Sequence, residues 1–151
     1  MNALEIRETA LAFQKSRIVL TACQLDIFTF LDKKSHNSET ISKALNLNTN
    51  AAERLLNALV ALKLLEKNNE SYSNTRDSLM FLSKNSPAYL AGLMHSNHLW
   101  EPWSHLTDVV KTGKTAHDSE INDRGEEWLN AFIDAMHDRG KKQAPAQISG
   151  I

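Results

Sequence analysis

Apolar residues recur along this chain mostly three and four positions apart, and few glycines or prolines interrupt them, so the pattern predicts a mainly helical protein. The first stretch, Leu4 to Phe30, has more apolar surface than one helical stripe can use. Ile6, Ala10 and Phe13 share a face, while Leu4, Leu11, Val19 and Leu20 fall on others. The surplus predicts a partner surface, and a second copy of the same helices is the simplest one.

From Asn37 to Asn74 the pattern sharpens. Ser38 is placed to cap a short helix whose Ile41, Ala44 and Leu45 share a face, with Glu39 at the end where the helix dipole favours a carboxylate. Asn46 to Thr49 forms a polar link. Asn50, with Glu53 three residues later, predicts a capping-box start for a second helix, buried along Ala52, Leu55, Leu56, Leu59 and Leu62. Leu64 to Lys67 and Ser71 to Asn74 flank Asn68-Asn69-Glu70 and read as a β-hairpin. Helix, turn, helix and hairpin in this order predict a winged helix, preceded by two N-terminal interface helices and followed by a C-terminal helical extension. The fold class is therefore mainly α.

Downstream, short helices are expected over Asp77 to Ser83, Pro87 to about His98, and Pro102 to Lys111, with each proline in a first turn. A polar loop follows from Lys111 to Arg124, with Thr112-Gly113-Lys114 ending the preceding helix. Glu126 to Lys142 reads as a long amphipathic helix in which Trp128, Phe132 and Met136 repeat at four-residue steps. A stripe of this kind serves core or interface packing, or the wall of an apolar pocket for a planar ligand.

Composition narrows the function classes. The 151 residues suit a single compact domain, and 42% apolar and 23% charged residues with a net charge of −1 give no reason to expect a polyanion partner. Cys23 is the only cysteine, which excludes an intramolecular disulfide and a cysteine-based zinc site, and its apolar surroundings predict a small buried thiol. No run approaches the roughly 20 apolar residues of a membrane helix, and the start lacks a basic, then apolar, export signal. A cytoplasmic protein without membrane contact is expected.

Two sharper chemistries are weak. His95 and His98 are three residues apart and His105 follows, but Pro102 is expected to break a helix joining them, and only Glu101 offers a nearby carboxylate for a metal. His117-Asp118 has no nucleophile placed to use it. The second helix of a winged helix enters a DNA groove in many proteins, yet its outward Asn50, Glu53, Arg54, Asn57 and Ala61 supply one base and one acid. The wing adds Lys67 together with Glu66 and Glu70. A non-enzymatic winged-helix regulator binding DNA or protein is the alternative reading, since Arg54 and Asn57 are able to read a base edge.

Several segments carry a resemblance to a known family. Ile18 through Asp32, then Ile41-Ser42-Lys43-Ala44-Leu45, then Glu53-Arg54-Leu55-Leu56-Asn57-Ala58-Leu59, are similar to the dimerisation domain of plant and bacterial small-molecule O-methyltransferases, the hydroxyneurosporene, acetylserotonin and caffeate methyltransferase group. Trp103-Ser104-His105-Leu106 and Val110-Lys111-Thr112-Gly113-Lys114 resemble that family's Trp-containing helix and its Thr-Gly turn, and Phe132 to Met136 resembles the stretch entering its interdomain helix.

The resemblance implies dimerisation through this helical part, and the surplus apolar surface predicts a homodimer intertwined through the N-terminal helices and the last long helix. The resemblance also implies that Trp128, Phe132 and Met136 contact a small aromatic or apolar hydroxyl acceptor. It implies S-adenosylmethionine for the full-length family, but none bound by this chain, because Gly125, Gly140 and Gly150 are isolated and lack nucleotide-loop spacing. No catalytic residue is matched, so the chain alone is expected to be inactive. On this reading residues 1–111 form a winged-helix dimerisation domain with its following helices and 112–125 a polar loop. Residues 126–151 form the long helix and the start of a linker to a catalytic domain outside this chain.

Overall fold

The computed structural model describes residues 1–114, 125–126 and 128–137. The chain divides into two compact units, Met1–Tyr89 and Leu90–Ile151.

The first unit opens with α1, Ala3–Gln24, whose start is set by a capping box: the Asn2 side chain accepts from the Glu5 amide, and Glu5 Oε2 accepts from the Asn2 amide at 2.9 Å. Asp26, in the left-handed region at φ 56, turns the chain into α2, Ile27–Leu31. Strand β1, Ser35–Asn37, leads into α3, Ser38–Ala44, and then α4, Thr49–Ala61. Strands β2, Leu65–Asn68, and β3, Ser71–Asn74, precede α5, Arg76–Leu82. The sheet is antiparallel in the order β1-β3-β2, with His36 opposite Tyr72 and Lys67 opposite Tyr72 on the other side.

The winged helix predicted from the hydrophobic pattern is present, with local differences. The cap of α3 is Asn37, whose Oδ1 accepts from the Thr40 amide at 2.8 Å; Ser38 instead lends its carbonyl to the buried Ser42 hydroxyl. The cap of α4 is Asn48, not Asn50: its Oδ1 accepts from Ala51, and its carbonyl receives Ala52 at 2.9 Å. The helix starts two residues earlier than expected; Ala52, Leu56 and Leu59 are buried, while Leu55 and Leu62 are half-buried. Ala44 is exposed and leaves its expected face.

The hairpin turn contracts to Asn69-Glu70, with Asn69 in the left-handed region that asparagine tolerates. The third strand, β1, was not expected, because Ser-His-Asn carries no alternating apolar pattern and finds its partner some 36 residues later only through the fold.

The core of this unit is Ile27, Phe28 and Leu31 of α2, Ile41 of α3, Leu56 and Leu59 of α4, Leu65 of β2 and Tyr72 of β3, all nearly inaccessible. Cys23 is buried at the end of α1, as its apolar neighbours predict.

The second unit contains α6, Leu93–His98, α7, Trp100–Ser104, and α8, Leu106–Thr112, and residues 128–137 are also helical (α9). The expected helix from Pro87 starts only at Leu93, because Ser86 makes its own turn, its Oγ accepting from the Ala88 amide. Pro102 lies inside the first turn of α7; the breaks fall at Leu99 and His105 instead. Gly113 closes α8 in the left-handed conformation, φ 68, where a C-terminal glycine belongs. The expected loop to Arg124 and the helix beyond His137 lie largely outside the described residues.

Candidate functional site

The predicted acceptor residues sit on α9. Trp128 and Phe132 are one helical turn apart, and their rings stack with centroids 5.2 Å apart and planes 8° from parallel. Across from them His95 of α6 presents an edge to both, 5.5 Å from Trp128 and 5.4 Å from Phe132. The three rings form one aromatic cluster in which each is only partly accessible. Met136 follows on α9 but is 52% exposed.

Position-by-position reading missed His95 as a partner of Trp128 and Phe132, grouping it with other histidines instead. Gly92 explains the approach of α6 to α9: a Cβ at this position would collide with the backbone of Ala135. A glycine placed before an apolar helix was the available signal.

In the first unit, α1 carries its apolar side chains into solvent. Leu4, Ile6, Leu11 and Phe13 are 64%, 57%, 42% and 53% exposed. Leu4 and Leu11 are one seven-residue step apart, as are Ile6 and Phe13, and at about 100° per residue the two pairs lie on opposite sides of the helix. The half of α1 that packs is the second, through Leu20, Ala22 and Cys23.

The outward face of α4 engages the wing. Tyr72 Oη donates to Asn57 Oδ1 at 2.9 Å, and Lys67 Nζ lies 3.4 Å from the same oxygen, 3.8 Å from Glu53 and 4.8 Å from the Tyr72 ring centre. The Tyr72 hydroxyl and the neighbouring carboxylates raise the Lys67 pKa, with Tyr72 the largest cause. The side chains a groove reader would extend toward bases or phosphates are thus joined to one another. Arg54 is exposed.

The described glycines do not build a nucleotide cradle: Gly92 packs on Ala135, and Gly113 and Gly125 are single left-handed positions. Nor do three His, Cys, Asp or Glu side chains group to hold a metal ion among them, and no helix among them is long and apolar enough to cross a membrane.

Residues 7–84 match the model of the O-methyltransferase dimerisation domain, just over half of the chain. The chain belongs to this family. The match spans α1 from Arg7 onward, α2, the helix-turn-helix, the wing and α5. The chain is 30% identical over 146 residues to a probable bifunctional dTTP/UTP pyrophosphatase/methyltransferase protein of Homo sapiens, covering 87% of this chain and 24% of that protein. It is 32% identical over 114 residues to acetylserotonin O-methyltransferase of Gallus gallus, covering 70% of this chain and 33% of the relative. Its fold superposes on human N-acetylserotonin methyltransferase, solved in complex with SAM, with a TM-score of 0.82 at 20% identity, over 100% of this chain and 51% of that one. The chain thus spans about a quarter to a third of the length of these curated relatives.

Proposed function

We propose that this chain is the dimerising and acceptor-walling part of an S-adenosylmethionine-dependent small-molecule O-methyltransferase, acting as a homodimer. The observation that carries the reading is α1, with apolar pairs Leu4/Leu11 and Ile6/Phe13 exposed on opposite sides. A helix lying on one flat surface covers one side; two apolar sides call for enclosure, which an intertwined pair of chains supplies.

Magnitudes set the extent of that interface. Half-exposed side chains of this size release roughly 1 kcal/mol each when covered, so eight of them in a two-fold pair contribute on the order of 8 kcal/mol. Association costs about 4–15 kcal/mol before any net affinity, so α1 needs help. Leu129 and Ile133 of α9, 40% and 53% exposed, are suited to supply it.

In the acceptor role, Trp128 and Phe132 offer flat apolar surface and Met136 a flexible thioether, which suits a planar hydroxyl-bearing acceptor. Their contribution is orientation and exclusion of water, with His95 fixing the ring planes. The methyl donor supplies the electrophilic carbon, and the residues that hold it belong to a domain outside this chain. In this reading residues 1–111 are the dimerisation domain with its following helices, 112–125 a polar loop, and 126–151 the long helix and the start of the linker to the catalytic domain.

Sedimentation equilibrium at micromolar concentration tests it. A dimer mass that falls to monomer in a Leu4→Lys, Phe13→Lys double variant supports the reading, and a monomer mass for the unaltered chain overturns it. Calorimetric titration with S-adenosylmethionine is expected to give no binding heat, and tight binding would overturn the assignment of the donor site to another domain.

A further inference from the structure

A cleft in the first unit, lined by none of the residues of the aromatic cluster or of the exposed half of α1, has the makings of a separate binding site. It encloses about 390 Å³ between the end of α2, one side of α5 and the segment 83–88. That volume lies at the small-ligand end of the range of roughly 300–1,000 Å³ for small-molecule sites. Leu79, Met80, Pro87 and Ala88 give it apolar walls, and Lys33 and Arg76 bring two cations to it against the single carboxylate of Asp32.

What distinguishes the cleft is that two cations, Lys33 and Arg76, meet at one apolar-walled hollow. Lys43, Lys67 and Lys84 each pair with a carboxylate, whereas Lys33 and Arg76 take part in no ion pair among the described residues. The walls are also fixed before any ligand arrives. Lys84 anchors the segment to α2 through its ion pair with Asp26 and through its amide, which donates to Thr29 Oγ1 at 3.1 Å. The Ser83 hydroxyl is buried and accepts from the Asn85 amide, and the Ser86 amide donates to the Ser83 carbonyl at 3.1 Å. A preformed cleft avoids the ordering cost that weakens binding to loose surfaces.

We propose that this cleft binds a small amphiphilic anion, a carboxylate or sulfonate on a compact apolar body, with the anionic group on Arg76 and Lys33 and the body against Leu79, Met80 and Pro87. Guanidinium and ammonium groups recognise such oxyanions by charge-assisted hydrogen bonds, and the apolar walls select against inorganic anions. A neutral molecule of the same shape leaves the cations unused and binds more weakly.

Anilinonaphthalene sulfonate and its neutral counterpart phenylnaphthylamine are the probes, titrated into the full chain with amide chemical shifts as the readout. The expected result is saturable binding of the sulfonate at one site per chain, with shifts at Lys33, Met80 and Ser86, and roughly tenfold weaker binding of the neutral probe. The Lys33→Gln, Arg76→Gln double variant, altered only at exposed side chains, is expected to lose about tenfold in affinity for the sulfonate and to change little for the neutral probe. Equal affinity for the two probes, shifts confined to α1, or sulfonate binding unchanged in the double variant would each overturn the proposal. So would cleft shifts that grow with protein concentration in the absence of probe, which would assign the cleft to a second copy of the chain.

Discussion

Asn74, the last residue of β3, holds Asp32 at the end of α2: its side-chain amide donates to the carbonyl of Asp32 and to that of Phe28, at 2.9 Å to each. Asp32 has φ 44 and ψ −122, a conformation that glycine adopts freely and a branched-free polar residue only at a cost. The bond bridges 42 residues of sequence and ties the wing to the helix beneath it.

Replacing Asn74 by alanine leaves two part-buried carbonyls without this donor, and a loss of about 1–3 kcal/mol is expected. Asp32→Gly relieves the strained backbone and is expected to raise stability by about 1 kcal/mol, strain relief exceeding the entropy glycine adds to the unfolded chain. Urea denaturation of the two variants checks both signs, and an unchanged midpoint for Asn74→Ala would remove the clamp from the account.

Gly92 predicts a steric effect in the second unit. Its φ of −63 suits any residue, but Gly92 caps α6, where alanine is a poorer residue than glycine, so helix propensity offers Gly92→Ala no gain. The Ala135 backbone occupies the space a Cβ needs, and forcing α6 away from α9 is expected to cost about 1–3 kcal/mol. Near-ultraviolet circular dichroism reads the result directly, because the displacement also separates His95 from Trp128 and Phe132. A more stable variant with an unchanged aromatic signal would contradict the close packing.

Local chemistry explains what could be read along the chain. Helix α4 and the hairpin were legible because Leu56 and Leu59 repeat at helical spacing and Asn69 suits a left-handed turn, both properties of neighbours in sequence. The excess of apolar positions on α1 was equally plain. Strand β1 was not, since Ser35, His36 and Asn37 become a strand only by pairing with β3. The same holds for His95: its place against Trp128 and Phe132 depends on a helix crossing made possible by Gly92, and periodicity carries no information about crossings. Between Asn48 and Asn50 the residue type is identical, so sequence alone does not decide which one caps the helix; in the structure it is Asn48, through the Ala51 amide.

The bond between Tyr72 and Asn57 fastens the wing to α4. Tyr72 is 1% exposed with its hydroxyl on Asn57 Oδ1, so Tyr72→Phe is expected to cost about 0.5–1.5 kcal/mol while keeping the ring in the core. It also leaves Asn57 Oδ1 with Lys67 Nζ as its partner, and Lys67 loses the hydroxyl that most raises its pKa. If the α4 face takes part in no nucleic-acid binding, affinity for duplex DNA at low salt stays undetectable in both proteins. Salt-dependent binding by the unaltered chain, abolished by Arg54→Ala, would instead favour the regulator reading.

Cys23 makes the stability of the first unit pH-dependent in the alkaline range. Burial chiefly, and then the nearby Asp26 carboxylate, push the thiol up from 9.0 to about 11, with Lys84 pulling the other way. Between these two values the unfolded chain has released the proton and the folded chain still holds it, so the folded state binds more protons and stability falls as pH rises. The contribution is fully present below pH 9 and is lost as pH approaches 11, a span worth about 2–3 kcal/mol. Lysines and tyrosines titrate in the same window, so the informative quantity is the difference from Cys23→Ala, which lacks the thiol. That variant is expected to be about 1 kcal/mol less stable at pH 7, from the lost sulfur contacts, and to decline less steeply from pH 9 upward. Parallel stability curves for the two proteins across this range would mean that the thiol titrates as freely in the folded chain as in the unfolded one.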